Sequence, residues 1–433
     1  MIEVATSMTA SFPLASVVGF KLKLFAWAKQ FEIGCYLDHN AYQGYYCHDY
    51  ECLVAVGLDD EIIHEEKGAF DALKNFVDEK KDWYFGYLTY DLKNDVELLS
   101  SANFDGIQFP ALHFFRPLYV FEVFDHEVVI HSKNEDPARL FHSINALPIE
   151  LAKHSLLQKV ILSPRICEAD YLDSVSSIRQ HIHRGDIYEM NFCQEFFAEN
   201  TPLDAAVVFQ KLNVFSKAPF SAFYKLNDKF LLCASPERFI KKTGSKLISQ
   251  PIKGTIRRGG NVSEDAILGQ QLFNRPKDRS ENVMIVDLVR NDLARSCRAG
   301  TVNVEELFGI YRFEQVIQMI STVSGELKSD VHFMDAIRSA FPMGSMTGAP
   351  KVRSMQLIEQ FEQTKRGLYS GAVGYITPAQ DFDFNVVIRS ILYNQASGYL
   401  SVQVGGAIVY DSEPALEFEE CLLKAKGMFK VLS

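Results

Sequence analysis

A glutamate and a lysine in two short motifs are the residues best suited to catalysis. Glu237 stands in Ser-Pro-Glu-Arg-Phe at 235–239, and Lys253 stands in Pro-Ile-Lys-Gly-Thr at 251–255. A lysine with the ordinary pKa of about 10.4 is neutral in only about one molecule in 2500 at pH 7, so a nucleophilic lysine needs burial or a nearby base. The two segments are interpreted as adjacent strands of a hairpin that lets Glu237 face Lys253. The alternative is a surface ion pair without a catalytic role, which is the commoner arrangement for such residues.

A second group of candidate residues is acidic. Glu281 leads a predicted helix, and Glu417 and Glu420 share one face of the predicted final helix because they lie three residues apart. Carboxylates from separate helices supply the hard oxygen ligands that Mg2+ takes, and they leave positions for water and a substrate carboxylate. The alternative is an i to i+4 ion pair between Glu420 and Lys424 on the helix surface.

Glycine-containing segments provide candidate backbone donors. Gly254 leaves the chain beside Lys253 unobstructed, and Thr255 offers a hydroxyl and an amide to an anionic ligand. The segments 344–351 and 405–407 can also present N–H groups to a carboxylate. Neither has the Walker or the dinucleotide-binding spacing, so alone each is typical of a turn or a helix entry.

The elements that must position these residues are strands with helices between them. Predicted strands cover 229–235, 247–252, 371–377, 385–393 and 399–409, and predicted helices cover 170–183, 281–290, 336–340 and 415–428. Because strands cluster without regular strand–helix alternation, we predict an α+β fold with antiparallel sheet. Residues 1–150 alternate aromatic strand-like runs with turns and contain no motif with chemistry. We therefore separate an amino-terminal part, 1–150, from a catalytic region, 165–430.

The composition indicates a globular protein, since 47% of the 433 residues are hydrophobic. A net charge of −11 without any Lys/Arg run argues against nucleic-acid or membrane binding, so an anionic substrate needs local cations. The scattered cysteines form no C-x-x-C pair and are interpreted as reduced core thiols: Cys35, Cys47, Cys52, Cys167, Cys193, Cys233, Cys297 and Cys421. With no basic leader and no apolar run of about 20 residues, we expect a soluble cytoplasmic protein.

Taken in order along residues 170–430, the motifs resemble those of the chorismate-utilising enzymes, the family of the anthranilate, aminodeoxychorismate, isochorismate and salicylate synthases. The matching motifs are Gly-Asp-Ile-Tyr-Glu-Met-Asn at 185–191, Ser-Pro-Glu-Arg-Phe at 235–239, Ile-Val-Asp-Leu-Val-Arg-Asn-Asp-Leu at 285–293, Thr-Gly-Ala-Pro-Lys at 347–351, Arg-Gly-Leu-Tyr-Ser-Gly-Ala-Val-Gly-Tyr at 366–375 and Ile-Arg-Ser at 388–390. The resemblance implies two large antiparallel sheets packed as a sandwich, with helices outside and the active site between the sheets.

Within this family, Pro-Ile-Lys-Gly-Thr resembles the aminodeoxychorismate synthase branch. The resemblance implies that Lys253 adds to the chorismate ring and expels the ring hydroxyl as water, after which ammonia displaces Lys253. Glu237 is then the general acid and base, and the product, 4-amino-4-deoxychorismate, leads to 4-aminobenzoate and folate. Because no cysteine stands in a Gly-x-Cys-x-Gly setting, the ammonia is expected from a separate glutamine amidotransferase subunit.

The same resemblance implies how chorismate is held. Mg2+ is expected at Glu281 and Glu420, with Glu417 as a further ligand candidate, and it binds the ring carboxylate. Arg389 can hold a carboxylate through two parallel hydrogen bonds. The remaining predicted substrate contacts are Tyr369, Lys351 and the backbone around Gly254, Thr255, Gly405, Gly406 and Ala407.

At two positions the sequence departs from the family pattern, so the family's residue roles are not assigned there. Gln318 stands where relatives carry a histidine, so the acid–base work is assigned to Glu237. The Leu-Leu-Glu-Ser pattern associated with tryptophan binding is missing, and the nearby stretch is 31–38. One rival function is an isochorismate or salicylate synthase, in which Lys159, within the segment 158–163, is the base that activates water. The other rivals are an anthranilate synthase and a regulatory binding module that keeps the fold.

Overall fold

A computed structural model describes residues 7–42, 49–65, 67–149 and 159–433, so Cys47 and Gln158 lie outside the described residues. Within these ranges the strands are β1 (Met8–Pro13), β2 (Ile33–Asp38), β3 (Cys52–His64), β4 (Tyr84–Leu88), β5 (Leu112–Val123), β6 (Glu127–Ser132), β7 (Ser163–Pro164), β8 (Glu189–Ala198), β9 (Phe220–Leu226), β10 (Lys229–Ser235), β11 (Arg238–Thr243), β12 (Lys246–Gln250), β13 (Ile252–Arg257), β14 (Asn303–Arg312), β15 (Val316–Glu326), β16 (Gly348–Ala349), β17 (Ala372–Ile376), β18 (Phe382–Asn385), β19 (Ser390–Asn394) and β20 (Tyr399–Ile408).

The helices of the described ranges surround these strands. They are α1 (Val17–Ala28), α2 (Ala69–Glu79), α3 (Lys93–Val96), α4 (Pro137–Ala146), α5 (Glu168–His183), α6 (Ala205–Ser216), α7 (Val262–Phe273), α8 (Pro276–Ser296), α9 (Phe333–Ala340), α10 (Lys351–Phe361) and α11 (Pro414–Leu432). Both helices that carry the predicted metal ligands, α8 and α11, begin with proline, whose fixed φ suits the first helical position. Asp278 and Glu417 therefore lie in first turns, where the helix dipole favours carboxylates.

The named strands pair antiparallel throughout the described residues, in two layers. One layer follows the order β1, β6, β5, β3, β2, β9, β10, β19, β20, β8, and the other follows β4, β17, β18, β11, β12, β15 with β13 and β14 beside β15. The long strands β3 and β5 belong to both layers, because one end of β5 pairs with β6 and its other end pairs with β4. The two layers are thus one continuous hydrogen-bonded sheet.

The core lies between the layers and under the helices. The rings of Tyr87 on β4 and Tyr224 on β9 meet at 5.2 Å, and the Tyr224 hydroxyl lies 2.7 Å from Nδ1 of His113 on β5. A second core packs α1, α4, α5, α6 and α11 on the outer face of the first layer. The predicted α+β sandwich with outer helices is confirmed, with the addition that β3 and β5 join its layers.

Two predicted strands have different boundaries in the structure. The segment predicted as 247–252 is split into β12 and β13 at Pro251, which has no backbone N–H for a ladder hydrogen bond. A single strand over 385–393 is wrong, because β18 ends at Asn385 and β19 starts at Ser390. Arg389 has a φ of +53°, in the left-handed region that a strand does not contain.

The remaining general expectations have mixed outcomes. Seven described cysteines carry no disulfide and six of them are buried, but Cys167 is exposed, so its assignment to the core is wrong. None of the helices in the described ranges combines the length and apolar composition that a membrane span requires. The division at 1–150 stays a prediction, and strands from that part pair directly with later strands, β2 with β9 and β4 with β17.

A buried ion pair holds the strand β8 in place. The Arg366 guanidinium binds the Glu362 carboxylate at 2.7 and 2.9 Å and donates to the backbone oxygens of Asn191 and Met346. Glu362 also accepts the backbone N–H of Cys193 at 2.9 Å. The pair therefore connects β8 to the short 3-10 turn Gly344–Met346.

We expect Glu362→Ala to lower the free energy of unfolding by about 3–5 kcal/mol, because it leaves the Arg366 cation buried without its partner. Urea titration measures this change. The matched control is Asp287→Ala, which breaks the exposed Asp287–Arg290 pair of α8 and is expected to cost less than about 1 kcal/mol. Equal losses in the two variants would contradict the structural role of Glu362.

Candidate active site

Lys253 forms a buried ion pair with Glu189. Its Nζ lies 2.5 Å from Glu189 Oε1, and the exposed fractions of the two residues are 8% and 1%. Glu189 is the first residue of β8, and strand alternation places Asn191 and Cys193 on the same face. Cys193 Sγ in turn donates to the Tyr369 hydroxyl at 3.7 Å. One face of β8 therefore runs from Lys253 to Tyr369.

The predicted hairpin is formed by β11 and β12, which pair antiparallel with Arg238 opposite Gln250, but Glu237 and Lys253 lie outside its paired strands. Glu237 lies in the turn between β10 and β11, β11 pairs with β12 and β18, and β13 pairs with β15. Both residues lie beyond the open end of the hairpin, with Lys253 after the break at Pro251, and there Glu237 makes a backbone hydrogen bond with Ile252 and interacts with the charge of Lys253. The surface ion pair proposed as the alternative is wrong, since both residues are buried and the ion-pair partner of Lys253 is Glu189.

In the absence of substrate, the carboxylates around Lys253 keep its amine protonated. Burial alone lowers the pKa of Lys253, but Glu189, Glu281 and Glu237 outweigh it, so the pKa is raised above its ordinary value. Glu281 and Glu237 thus act on Lys253 through their charge. The amine can attack a substrate only after its proton has moved to another group.

Glu237 is suited to exchange that proton. Burial raises the pKa of Glu237 to about 7, although a hydrogen bond with Ser345, the charge of Lys253 and a backbone hydrogen bond with Ile252 oppose the shift. A carboxyl group whose pKa lies near the working pH can both donate and accept a proton. A cavity of about 20 Å³ borders Glu237 and Ser345, which is room for about one water molecule.

The backbone after Lys253 lies against α8. Gly254 has a φ of +94°, and a Cβ there would lie 3.1 Å from the Asp278 Cβ, so both the conformation and the close contact favour glycine. Thr255 Oγ1 accepts a 3.4 Å hydrogen bond from Gln318 Nε2. In the described part of the chain, Gln318 Oε1 and Glu189 Oε2 are buried without a hydrogen-bond partner. Such atoms are acceptors that a bound ligand can satisfy.

Two of the three predicted metal ligands, Glu417 and Glu420, meet at Gly406. A Cβ on Gly406 would lie 3.4 Å from Glu417 Oε2 and 3.6 Å from Glu420 Oε1, so the missing side chain leaves a cradle under these oxygens. Glu281 faces the same region across Lys277, whose Nζ is 3.9 Å from Glu281 Oε1 and 3.6 Å from Glu417 Oε1.

Lysines neutralise this acidic group. Lys424 Nζ lies 2.6 Å from Glu420 Oε1, which lowers the pKa of Glu420, whereas burial raises the pKa of Glu281 to about 7. Among the residues that the structure describes, no three His, Cys, Asp or Glu side chains are gathered tightly enough to form a ready metal cage. The oxygen donors suit Mg2+, but ammonium groups stand between them.

Tyr369 and Arg389 lie on the side of the site next to α11. Arg389 Nη1 donates to the backbone oxygen of Lys424 at 3.0 Å. Burial lowers the pKa of Arg389, while the charges of Tyr369 and Glu420 oppose that shift, which places both groups near the guanidinium. Gly405 and Ala407 face Cys193 and Asn191 across the β20–β8 pairing, so the glycine segment and Tyr369 adjoin the same strand.

Lys351 lies apart from this group, and Lys159 lies on the surface. Lys351 Nζ binds Asp292 at 2.8 Å and the Ala340 oxygen at 3.3 Å. Asp292 is three turns along α8 from Glu281, about 16 Å at 1.5 Å per residue. Lys159 is exposed before β7, and its role as the water-activating base of the rival functions stays a prediction. The role of Lys351 in substrate binding stays a prediction.

Sequence reasoning missed Glu189 as the partner of Lys253. The residue stands inside the 185–191 motif, and the alternation of a strand predicts that it shares a face with Asn191. That signal does not reveal which later strand crosses this face. The contact joins residues 64 positions apart, and only the folded sheet shows it.

Comparison with known proteins gives consistent matches. A family model described as chorismate binding enzyme matches residues 36–430. The chain is 33% identical over 353 residues to an anthranilate synthase component I-like protein of Synechocystis sp., covering 81% of this chain and 72% of that protein. It is 41% identical over 263 residues to aminodeoxychorismate synthase component 1 of Klebsiella aerogenes, covering 61% of this chain and 58% of that protein. The match thus spans a little over half the length of the Klebsiella protein.

A solved structure extends the match to the fold. The crystal structure of anthranilate synthase component I from Streptococcus pneumoniae superposes with a TM-score of 0.75 at 25% identity, covering 90% of this chain and 95% of that chain. Both layers of the sandwich are therefore included in the similarity.

Proposed function

Since the chain belongs to the chorismate binding enzyme family, we propose that it aminates chorismate to 4-amino-4-deoxychorismate as component I of an aminodeoxychorismate synthase. The observation that carries this proposal is the buried amine of Lys253, held at 2.5 Å by Glu189 and under the charge of Glu237. A buried amine beside a proton-exchanging carboxyl is suited to covalent catalysis.

The proposed reaction consists of two displacements. Lys253 Nζ forms a bond to the chorismate ring, the ring hydroxyl leaves with its bonding electron pair, and Glu237 protonates it to water. Ammonia then forms a C–N bond to the ring, the bond to Nζ breaks, and Lys253 recovers its electron pair. A carboxylate that takes the surplus proton from the ammonium product completes the cycle. The covalent step divides one difficult substitution into two easier ones.

The proton of Lys253 must leave before the first bond forms. The ion pair with Glu189 holds the ammonium in position, and Glu237, with a pKa of about 7, can hold the proton that later reaches the leaving hydroxyl. In the active form of the site, Lys253 is therefore neutral and Glu237 is protonated. This form carries the same total charge as the more stable ion pair, so it is reached by proton transfer inside the site.

Mg2+ is part of the proposal because the oxygen donors fit it. Glu417 and Glu420 of α11 border the space that Gly406 leaves open, and Glu281 of α8 faces Glu417 across Lys277. These three carboxylates would hold the ion. When bound, Mg2+ would supply positive charge to the substrate carboxylate. Arg389 and Tyr369 are proposed to contact the substrate beside α11, together with the backbone of 254–255 and 405–407.

The ammonia source in this proposal is a separate glutamine amidotransferase subunit.

The described segments contain seven cysteines, six of them buried, which matches a structural use of these thiols. The absence of disulfides among them supports a reducing compartment, and we propose the cytoplasm.

Product analysis tests the proposed reaction. The chain is incubated with chorismate, Mg2+ and an ammonium salt at pH 8, and the products are separated by chromatography against standards. We expect 4-amino-4-deoxychorismate, and no conversion to it when ammonium is omitted. Anthranilate as the product would identify the other ammonia-using reaction of the family. Isochorismate or salicylate formed without ammonium would contradict the proposed amination.

A further inference from the structure

The acidic group at the ends of α8 and α11 contains a lysine whose position conflicts with a bound metal. The Lys277 ammonium lies between Glu281 and Glu417, 3.9 and 3.6 Å from their oxygens. A Mg2+ ion needs its oxygens at about 2.0–2.1 Å in an octahedral arrangement. An ammonium and Mg2+ cannot share these carboxylates at such short range, because like charges repel strongly in a partly buried site.

The contacts of Lys277 are the weaker ones at this site. Both of its distances to carboxylate oxygens exceed the length of a charged hydrogen bond, and 54% of its side chain is exposed. Lys424 is held more firmly, since it binds Glu420 at 2.6 Å and the Gly405 oxygen at 2.8 Å, and 26% of its side chain is exposed. Of the two cations, Lys277 is the one that can move into solvent at little cost.

We propose that Lys277 is a built-in counter-cation of the metal site, and that Mg2+ binding displaces its ammonium from Glu281 and Glu417 into solvent. This inference rests on the proposed magnesium site. Without metal, Lys277 offsets the repulsion between carboxylates on two helices. With metal, the same lysine competes for the carboxylates, so the chain binds Mg2+ more weakly than its oxygen donors alone would.

Calorimetric titration with MgCl2 alone tests the exchange on the full chain. We expect Lys277→Met to bind Mg2+ at least about tenfold more tightly, equivalent to about 1.4 kcal/mol, because the competing cation is removed. Mg2+ is also expected to raise the Tm of this variant by more than it raises the Tm of the wild type, since tighter binding to the folded state gives greater stabilisation. Neither readout requires chorismate.

Lys74→Met is the matched control. Lys74 lies on α2, binds the carboxylate of Asp335 at 2.7 Å and does not contact Glu281, Glu417 or Glu420. It is expected to leave the Mg2+ affinity unchanged. Unchanged or weaker binding by Lys277→Met would overturn the exchange while leaving the magnesium site intact. If neither protein bound Mg2+, the exchange and the magnesium site would both be refuted, and the product analysis would still decide the amination.

Discussion

Replacing Lys253 with alanine is expected to abolish the covalent intermediate and to lower the amination rate by at least about 1000-fold, as removal of a catalytic nucleophile does. The readout is the intact mass of the protein after incubation with chorismate and Mg2+ in the absence of ammonia. Wild type is expected to gain the mass of chorismate minus water. The variant is expected to gain nothing, since its methyl group cannot attack the ring.

The interpretation of this variant depends on a folded site. Lys253→Ala leaves Glu189 buried without its cation, which carries a desolvation cost. The double variant Lys253→Ala/Glu189→Gln removes that charge, and it is expected to recover stability without recovering the adduct. Lys242→Ala is the control for loss of a lysine elsewhere, on β11, where it binds Asp381 at 3.1 Å. An adduct that survives in the double variant would show that another residue is the nucleophile.

We expect Glu237→Gln to lower the rate of adduct formation by about 100- to 10,000-fold, the usual range for loss of a general acid. Glutamine keeps the shape and can still hydrogen-bond Ser345, but it carries no transferable proton. The rate is followed by mass spectrometry of quenched samples between pH 5 and 9.

The rate of adduct formation is expected to depend on pH through the protonation of Glu237 and Lys253. The reactive form needs one proton on the Glu237–Lys253 pair, and above pH 7 the pair holds one, because the pKa of Glu237 is about 7 and that of Lys253 is raised. Below pH 7 both groups are protonated, so the wild-type rate is expected to fall about tenfold per pH unit. In Glu237→Gln no carboxyl at this position can take the proton of Lys253, so the rate is expected to keep rising with pH above 7 instead of levelling there. A rate that still levels near pH 7 in Glu237→Gln, but not in Glu189→Gln, would show that the proton moves to Glu189 instead.

How far the sequence predicts this site depends on the range of the interactions. Local patterns placed β10 and α5 well. The residues around Lys253 alone favoured an ion pair, and the nucleophile was implied by the resemblance of the motif to the family pattern. The partner of Lys253 was assigned to Glu237, since two motifs close in sequence suggested a hairpin. In the folded sheet, the proline at 251 and the pairing of β13 with β15 direct Lys253 to Glu189.

The acidic site also depends on contacts between distant segments, which local sequence patterns do not predict. The spacing of Glu417 and Glu420 predicted a shared helix face, and one carboxylate oxygen of each residue does lie beside Gly406. The position of Lys277 between Glu281 and Glu417 depends on how α8 crosses α11, and a sequence pattern along either helix does not contain that relation. Lys351 was assigned from its charge and motif, but its nearest carboxylate belongs to Asp292.

Two strands from residues 1–150, β2 and β4, pair with later strands of the sheet. β9 and β17 are interior strands only because β2 and β4 cover them. Without residues 1–150, each would become an open edge with a row of unpaired N–H and C=O groups, which is a template for self-association. Strands β2 and β4 therefore cover two edges of the later strands that would otherwise be open to other copies of the chain.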